Sequence, residues 1–434
     1  MRQIEVIQDS IDYIEDNLKT EITAAELADH AGFSLFHFYR LFQVETGMPV
    51  MQYILQRRLL NAIYEMAQGR KKIDVVQEYG FDTYAGFYKA FQREIGFTPA
   101  FFLENRKVKK PYRINLLKEE HIMVTHKKIA EILVAWGLEK EAITDIYYEG
   151  SGNKNENACY VGDRYVMKFT PNYGKLQKHT ELTTAIESVG LYTASLIKTK
   201  DGLEYVKDGE LYFYLTKRLQ GRQMLAGDMY AADYKEKARF VGEILGQLHL
   251  ALEKVEAAVE TANLQETVKN WALPKAKMAM NLPEHFCKNY EQKLEGLFHK
   301  LPTQIIHRDP NPANIICGED KWGFIDFELS EKNVRIYDVC YAATAILSES
   351  FSDADDAKCQ KWIEIYKNIV WGYDSVVKLQ TEEREAISYV LLANQFVCVA
   401  WFSEQEKYQD IYETNKRMSA WIVEHFDELN VDNE

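Results

Sequence analysis

The residues best suited to chemistry lie between Gln304 and Leu329, QIIHRDPNPANIICGEDKWGFIDFEL. An apolar pair, Ile305-Ile306, reads as a strand that delivers His307, Asp309 and Asn314 into one loop, and a second strand, Gly323 to Ile325, ends at Asp326. A loop carboxylate, an amide five residues on and another carboxylate after the next strand are what phosphoryl transfer demands. One carboxylate orients an acceptor hydroxyl, while the amide oxygen and the second carboxylate hold Mg2+. Each of these residues alone is an ordinary turn former that bonds nearby backbone. The chemistry resides in the set and its spacing.

The segments HRDPNPANI and IDFE resemble the aminoglycoside phosphotransferase/choline kinase family, relatives of the protein kinases. The resemblance implies a two-lobed α+β protein-kinase-like fold with ATP as phosphoryl donor. By position, Asp309 would accept or orient the acceptor proton, His307 would brace the loop, and Asn314 and Asp326 would hold Mg2+. Lys168, on the alternating strand from Arg164 to Phe169, matches the lysine that grips phosphates; Glu181 is its first candidate partner and Glu187 the second. Gly150, Ser151 and Gly152 open a loop whose amides would cover phosphates, although a plain hairpin explains that composition equally well. Thr216 to Leu219 corresponds to the hinge beside the adenine ring, which places Arg218 and Leu219 at the nucleotide.

Further along, Asp338 would brace the catalytic loop by the same resemblance, and His249, on the apolar helix Arg239 to Leu252, reads as structural. Glu328 follows Asp326-Phe327 where protein kinases carry glycine, which favours a small-molecule acceptor. Trp362, Trp371, Trp401 and Trp421 alternate with acidic residues. They would suit a cationic acceptor, or they are core.

A second set of residues occupies the first hundred positions. Ile4, Ile7, Ile11, Ile14 and Leu18 recur at helical spacing. Thr23 with Glu26 forms a capping box that starts a second helix, Gly32 stops it, and Ser34 starts a third through Phe38, Leu41 and Phe42. Helix, glycine turn, helix is the geometry that lays one helix in a DNA major groove. The pattern recurs, with Phe38, Phe42 and Gly47 matched by Phe87, Phe91 and Gly96, and Gly32-Phe33 by Gly80-Phe81.

This stretch resembles the double helix-turn-helix domain of AraC/XylS-type transcription regulators. The resemblance implies that Phe36, Tyr39 and Arg40 face base edges from the first recognition helix, and Tyr84, Ala85 and Lys89 from the second. Arg40 offers a two-pronged donor to guanine while Lys89 is a point donor, so the first helix carries more sequence information. Val76 stands where the first repeat has the small Ala28, which puts the second helix contact in question. His30 and His37 lack neighbours at ligand spacing and read as ordinary helix residues.

The elements that must position these sets fall into four segments: an AraC-type DNA-binding domain at 1–107, a linker at 108–124, a small kinase-like lobe at 125–219 and a large one at 220–434. The basic run Arg106 to Lys110, ending at Pro111, reads as a solvated hinge. The fold class is therefore multidomain, an all-α double helix-turn-helix region followed by a two-lobed α+β kinase-like domain.

The chain carries a net charge of -14, but residues 1–110 hold 14 Lys+Arg against 15 Asp+Glu, leaving 38 against 51 for the rest. The acidic remainder disfavours nonspecific nucleic-acid binding there, and the near-neutral first quarter is reconciled with double-stranded DNA binding either by weak monomeric affinity or by a homodimer formed through another part of the chain. The six cysteines show no paired spacing, no basic-then-apolar leader opens the chain, and no uninterrupted apolar run approaches membrane-spanning length. A cytoplasmic protein is expected. Two motif sets in one chain imply a DNA-binding transcription regulator whose kinase-like domain senses a small molecule, with or without turnover. The alternative is an O-phosphotransferase for a small aminoglycoside- or choline-type molecule with an accessory helix-turn-helix domain.

Overall fold

A computed structural model describes residues 3–117, 123–147, 154–255, 259–319, 321–352, 354–405 and 408–431. Contacts divide the chain into two compact units, Met1–Pro171 with Ile197–Arg218, and Asn172–Leu196 with Leu219–Glu434.

The first unit opens with α1 (Gln3–Asp16), α2 (Ala24–His30), α3 (Leu35–Thr46), α4 (Val50–Ala67), α5 (Lys72–Glu78), α6 (Tyr84–Ile95) and α7 (Pro99–Asn105). The capping box at α2 forms, with Thr23 Oγ1 accepting from the Glu26 amide at 3.2 Å and Glu26 accepting from the Thr23 amide at 2.9 Å. Ser34 and Thr83 cap the two recognition helices, α3 and α6, and both helices end on a left-handed glycine, Gly47 at φ 76° and Gly96 at φ 86°. The turn closes identically in each repeat, Phe33 N–H to Ala28 O at 2.9 Å and Phe81 N–H to Val76 O at 3.0 Å. Val76 is therefore accommodated, fully buried, without altering the turn.

Phe38, Phe42, Phe87 and Phe91 are fully buried and fill the two repeats. Each such ring contributes about 1.5–3 kcal/mol by burial. The arginines of α4 hold the scaffold, because Arg57 pairs with Glu15 at 2.5 Å inside the core and Arg58 donates to the Leu18 and Thr20 carbonyls.

The segment just after the basic run read as a hinge passes back across α1. Gln8 Nε2 donates to Ile114 O at 3.1 Å, Gln8 Oε1 accepts from the Leu116 amide at 2.7 Å, and both Ile114 and Leu116 enter the helical core. One glutamine thus satisfies two backbone groups as a neighbouring strand would. Then come α8 (His126–Leu133), capped by Thr125, and the strands β1 (Ile143–Tyr147), β2 (Lys154–Val161) and β3 (Tyr165–Thr170).

The second unit takes up α9 (Tyr173–Ser188) and β4 (Tyr192–Thr193), then β5 (Leu196–Ile197) marks the return to the first, where β6 (Val206–Asp208) and β7 (Leu211–Lys217) complete a sheet of order β1-β2-β3-β7-β5, with β6 paired to β7. In the larger unit, β8 (Arg222–Gln223) precedes α10 (Tyr234–Leu252), α11 (Leu264–Thr267), α12 (Leu273–Met280), α13 (Glu284–Phe298) and β9 (Thr303–Ile306). The short strands β10 (Ile315–Cys317), β11 (Trp322–Phe324) and β12 (Glu331–Val334) follow, and α14 (Ile336–Ser350), α15 (Asp356–Val376), α16 (Thr381–Ser403) and α17 (Gln409–Glu424) close the fold. β12 pairs antiparallel with β9, and β10 lies between β11 and β8. The whole is an all-α double helix-turn-helix region followed by an α+β kinase-like domain.

Helix α16 is long and apolar enough to cross a membrane by length and composition, yet 72% of its most apolar window is buried inside the protein, as in a core helix. Trp362 is fully buried and donates its indole N–H to Ala343 O at 2.8 Å, so it is core and lines no cleft.

Candidate phosphotransfer site and DNA-binding face

Strand β9 leads directly into His307, which is wholly buried against Phe324 and Phe327. Its Nε2 lies 2.9 Å from Ile325 O and its Nδ1 accepts from the Asp309 amide at 3.3 Å. Since a carbonyl only accepts, the ring carries its proton on Nε2. The imidazole therefore ties the Asp309 loop to the residue before Asp326.

Beneath the loop, Asp338 on α14 accepts from the amides of His307 (2.7 Å, Oδ2) and Arg308 (2.9 Å, Oδ1) and lies 3.0 Å from His249 Nε2. Arg308 is held at φ 76°, a left-handed conformation that costs a residue with a Cβ about 1–2 kcal/mol. Its guanidinium pairs with Glu331 at 2.8 Å and lies over the Tyr337 ring at 4.3 Å. Anchors at both backbone and side chain keep the strained turn in place.

The Asp309 carboxylate accepts from Asn311 Nδ2 at 2.8 Å, from Asn314 Nδ2 at 3.1 Å and from the Tyr341 hydroxyl. Burial raises its carboxyl pKa, and the Tyr341 and Asn311 hydrogen bonds oppose that rise. Asn314 gives its other N–H to Asp309 O at 2.9 Å, which leaves the amide oxygen as the end available to a cation. The Ile325 amide donates to Asn314 O at 3.0 Å and sets Asn314 beside the strand that ends at Asp326, itself turned to φ 70°. Among the described residues no group of three His, Cys, Asp or Glu could hold a metal alone. An Asn–Asp pair fits a hard divalent ion that draws its remaining ligands from phosphate and water.

Asn311 and Tyr341 were not singled out by sequence. Asn311 sits two residues after Asp309 and also caps the short turn through its Oδ1, a double duty that an Asn-Pro dipeptide hints at. Tyr341 lies one helical turn beyond Asp338 on α14, and only that i, i+3 spacing pointed to it.

In the first unit, Lys168 occupies β3 between Ala158 of β2 and Tyr214 of β7. Arg218 donates its amide to Arg164 O at 2.8 Å and lays its guanidinium 3.7 Å from the Tyr160 ring centroid. In the second, Glu181 accepts from Gln177 at 2.8 Å, and Leu219 is buried with Ala194 and Ile316. Gly150, Ser151 and Gly152 lie outside the described residues. On the helical face, Phe36 is 80% exposed, and Arg40, Ala85 and Lys89 are also exposed, while Tyr39 and Tyr84 are half-buried against the core.

The sequence matches the phosphotransferase enzyme family over residues 150–376, more than half of the chain, and a helix-turn-helix domain family over 27–105. The chain belongs to the phosphotransferase enzyme family, with an AraC-type DNA-binding domain fused to it. The DNA-binding domain is 31% identical over 101 residues to the HTH-type transcriptional activator AarP of Providencia stuartii, covering 23% of this chain and 75% of that protein. It is 32% identical over 102 residues to the transposon Tn10 TetD protein of Escherichia coli, covering 23% and 74%. The phosphotransferase domain shares its fold with a microcompartment-associated aminopropanol kinase (13% identity, 70% of this chain and 98% of that one, TM-score 0.52). It is also similar to the amicoumacin kinase hAmiN solved with AMP-PNP, Ca2+ and Ami (11% identity, 66% and 90%, TM-score 0.50).

Proposed function

We propose that this chain is a sequence-specific transcription regulator, acting on double-stranded DNA in the cytoplasm, whose phosphotransferase-family domain binds ATP and a small molecule as its signal. The observation that carries the reading is the joining of an assembled Asp309 loop to two capped recognition helices that hold Arg40 and Lys89 out in solvent. Asn314 and Asp326 would hold Mg2+, which supplies charge neutralisation on the phosphates. Lys168 would grip those phosphates, with Glu181 as its partner; Gly150, Ser151 and Gly152 would cover them, and Arg218 and Leu219 would flank the adenine. Asp309 receives the acceptor hydroxyl, and His307 keeps the loop in place. The fold is shared with a kinase solved with a nucleotide analogue and a divalent ion, in support of ATP and metal. The reading includes a homodimer, because the near-neutral DNA-binding domain has few charges for phosphate, and a cationic acceptor, in keeping with the acidic balance of the remaining chain.

Genomic pull-down with the full chain, followed by footprinting, tests this; the expected result is a preferred duplex site, and uniform binding overturns it. A second reading, an ATP-dependent small-molecule O-phosphotransferase with an accessory helix-turn-helix domain, is favoured by the buried, hydrogen-bonded carboxylate kept at Asp309, which a pure sensor does not need. Mg2+-dependent ATP consumption across a panel of amines and amino sugars, abolished in Asp309→Asn, would establish turnover.

A further inference from the structure

The DNA-binding domain and the β1-β2-β3 sheet belong to one compact unit and share packing. Tyr147, the last residue of β1, sits inside the helix-turn-helix core, edge-on to Phe102 at 5.0 Å and to Phe97 at 6.2 Å. Gly96, the left-handed stop of the second recognition helix, lies so close to β1 that a Cβ there would come within 3.0 Å of Thr144 Cα. Between these contacts, Asp145 is buried and pairs with Lys154 at 2.7 Å and His126 at 2.9 Å. The seam thus joins the end of the second recognition helix to a strand of the sheet that carries Lys168.

That sheet supplies a short mechanical path. Lys168 pairs with Ala158, its neighbour Met167 pairs with Cys159, and Cys159 pairs with Asp145. A single strand, β2, therefore lies between the lysine's strand and the seam on β1. The register slips between Asp145 and Tyr147, a break in the ladder that re-aims the side chain beyond it. The seam is also under-satisfied: the Tyr147 hydroxyl and Arg106 Nε are both buried without a hydrogen-bond partner among the described residues. Orphaned polar groups at a packed junction mark a contact that another arrangement can satisfy better.

We infer that nucleotide binding at Lys168 and DNA binding by the second helix-turn-helix unit are coupled through the seam formed by β1 (Asp145, Tyr147) and Phe97, Phe102 and Arg106. This rests on the proposed nucleotide site and adds the route by which occupancy reaches the DNA-binding face. Coupling of this kind is reciprocal, so nucleotide must alter DNA affinity by the factor by which DNA alters nucleotide affinity.

The test uses the full chain, Mg2+ with AMP-PNP, and a duplex selected from a random-sequence pool by the chain itself. The expected result is a change in DNA affinity of about fivefold or more on adding nucleotide, with the same factor measured in reverse. In Tyr147→Leu the factor falls towards one while each ligand, measured separately, still binds; Phe97→Leu provides the same reading should Tyr147→Leu fail to fold. AMP-PNP that binds without changing DNA affinity overturns the coupling and leaves the proposed nucleotide site standing, whereas no nucleotide binding overturns both. A factor undiminished in the folded variants overturns the seam as the route.

Discussion

His249 and Asp338 face each other at 3.0 Å with both side chains wholly buried, and the same Asp338 carboxylate accepts from two backbone amides of the Asp309 loop. The histidine is itself fixed by the Tyr373 hydroxyl, 2.9 Å from Nδ1. Three helices, α10, α14 and α15, thereby set the height of a loop that none of them contains.

Replacing Asp338 with alanine leaves two loop amides and one imidazole without their acceptor. The expected loss is about 3–5 kcal/mol, the cost of stranding buried polar partners. Urea denaturation of the full chain measures it, and a loss below about 1 kcal/mol would show that water replaces the carboxylate.

Asp309→Asn keeps the size of the side chain and removes the carboxylate proposed as the base. Nucleotide affinity is expected to persist while turnover of any acceptor falls about 10²–10⁴-fold. Because burial raises the Asp309 carboxyl above its ordinary value, kcat/KM should fall with acid through a midpoint above about 3.9. The stability sign is the reverse: folded Asp309 binds its proton more tightly than the unfolded chain does, so its contribution is most favourable at low pH and declines as pH rises through the raised value. A pH–rate profile with an acid limb at or below the ordinary aspartate range would remove Asp309 from the role of base.

On the DNA face, Arg40→Ala should cost about 1–3 kcal/mol at the preferred site and relax its sequence, whereas Lys89→Ala should weaken binding more evenly across sequences. Gel-shift titrations over a set of single-base variants distinguish the two.

Helices α10 and α15 meet through glycine, since a Cβ on Gly372 would strike Arg239 O and one on Gly242 would strike Ile369 O. Gly372→Ala is therefore expected to destabilise by at least about 1–3 kcal/mol, the range for overpacking. Thermal melts that show no change would mean that the two helices can separate at little cost.

The helical repeat was legible because its signals are local: Thr23 with Glu26, Ser34 as a cap, and phenylalanines that recur with their glycine stops. The Asp309 loop was legible for the same reason, as a dense set within a few residues. What sequence did not show are pairings decided by tertiary approach. Gln8 meets Leu116 across 108 positions, Tyr341 reaches the Asp309 loop from helix α14, and Tyr147 leaves its own sheet to complete a neighbouring core. The basic run Arg106 to Lys110 has the composition of a hinge, and the segment just beyond it becomes a strap because Gln8 and Asp16 on α1 hold it. Ile114 and Leu116 were apolar signals available just after that run, but apolar residues do not announce which core they enter.

That strap sets where the DNA-binding domain can be cut. A fragment ending at residue 107, where the helical repeat stops, would uncover the apolar surface beneath Ile114 and Leu116 and leave Gln8 facing water. A fragment carried through residue 117 keeps both, and Asp16 retains Arg113. The smallest self-sufficient DNA-binding fragment is thus longer than its pair of helix-turn-helix motifs, and protease trimming of the full chain should spare the basic run that its composition would mark as the first place to cleave.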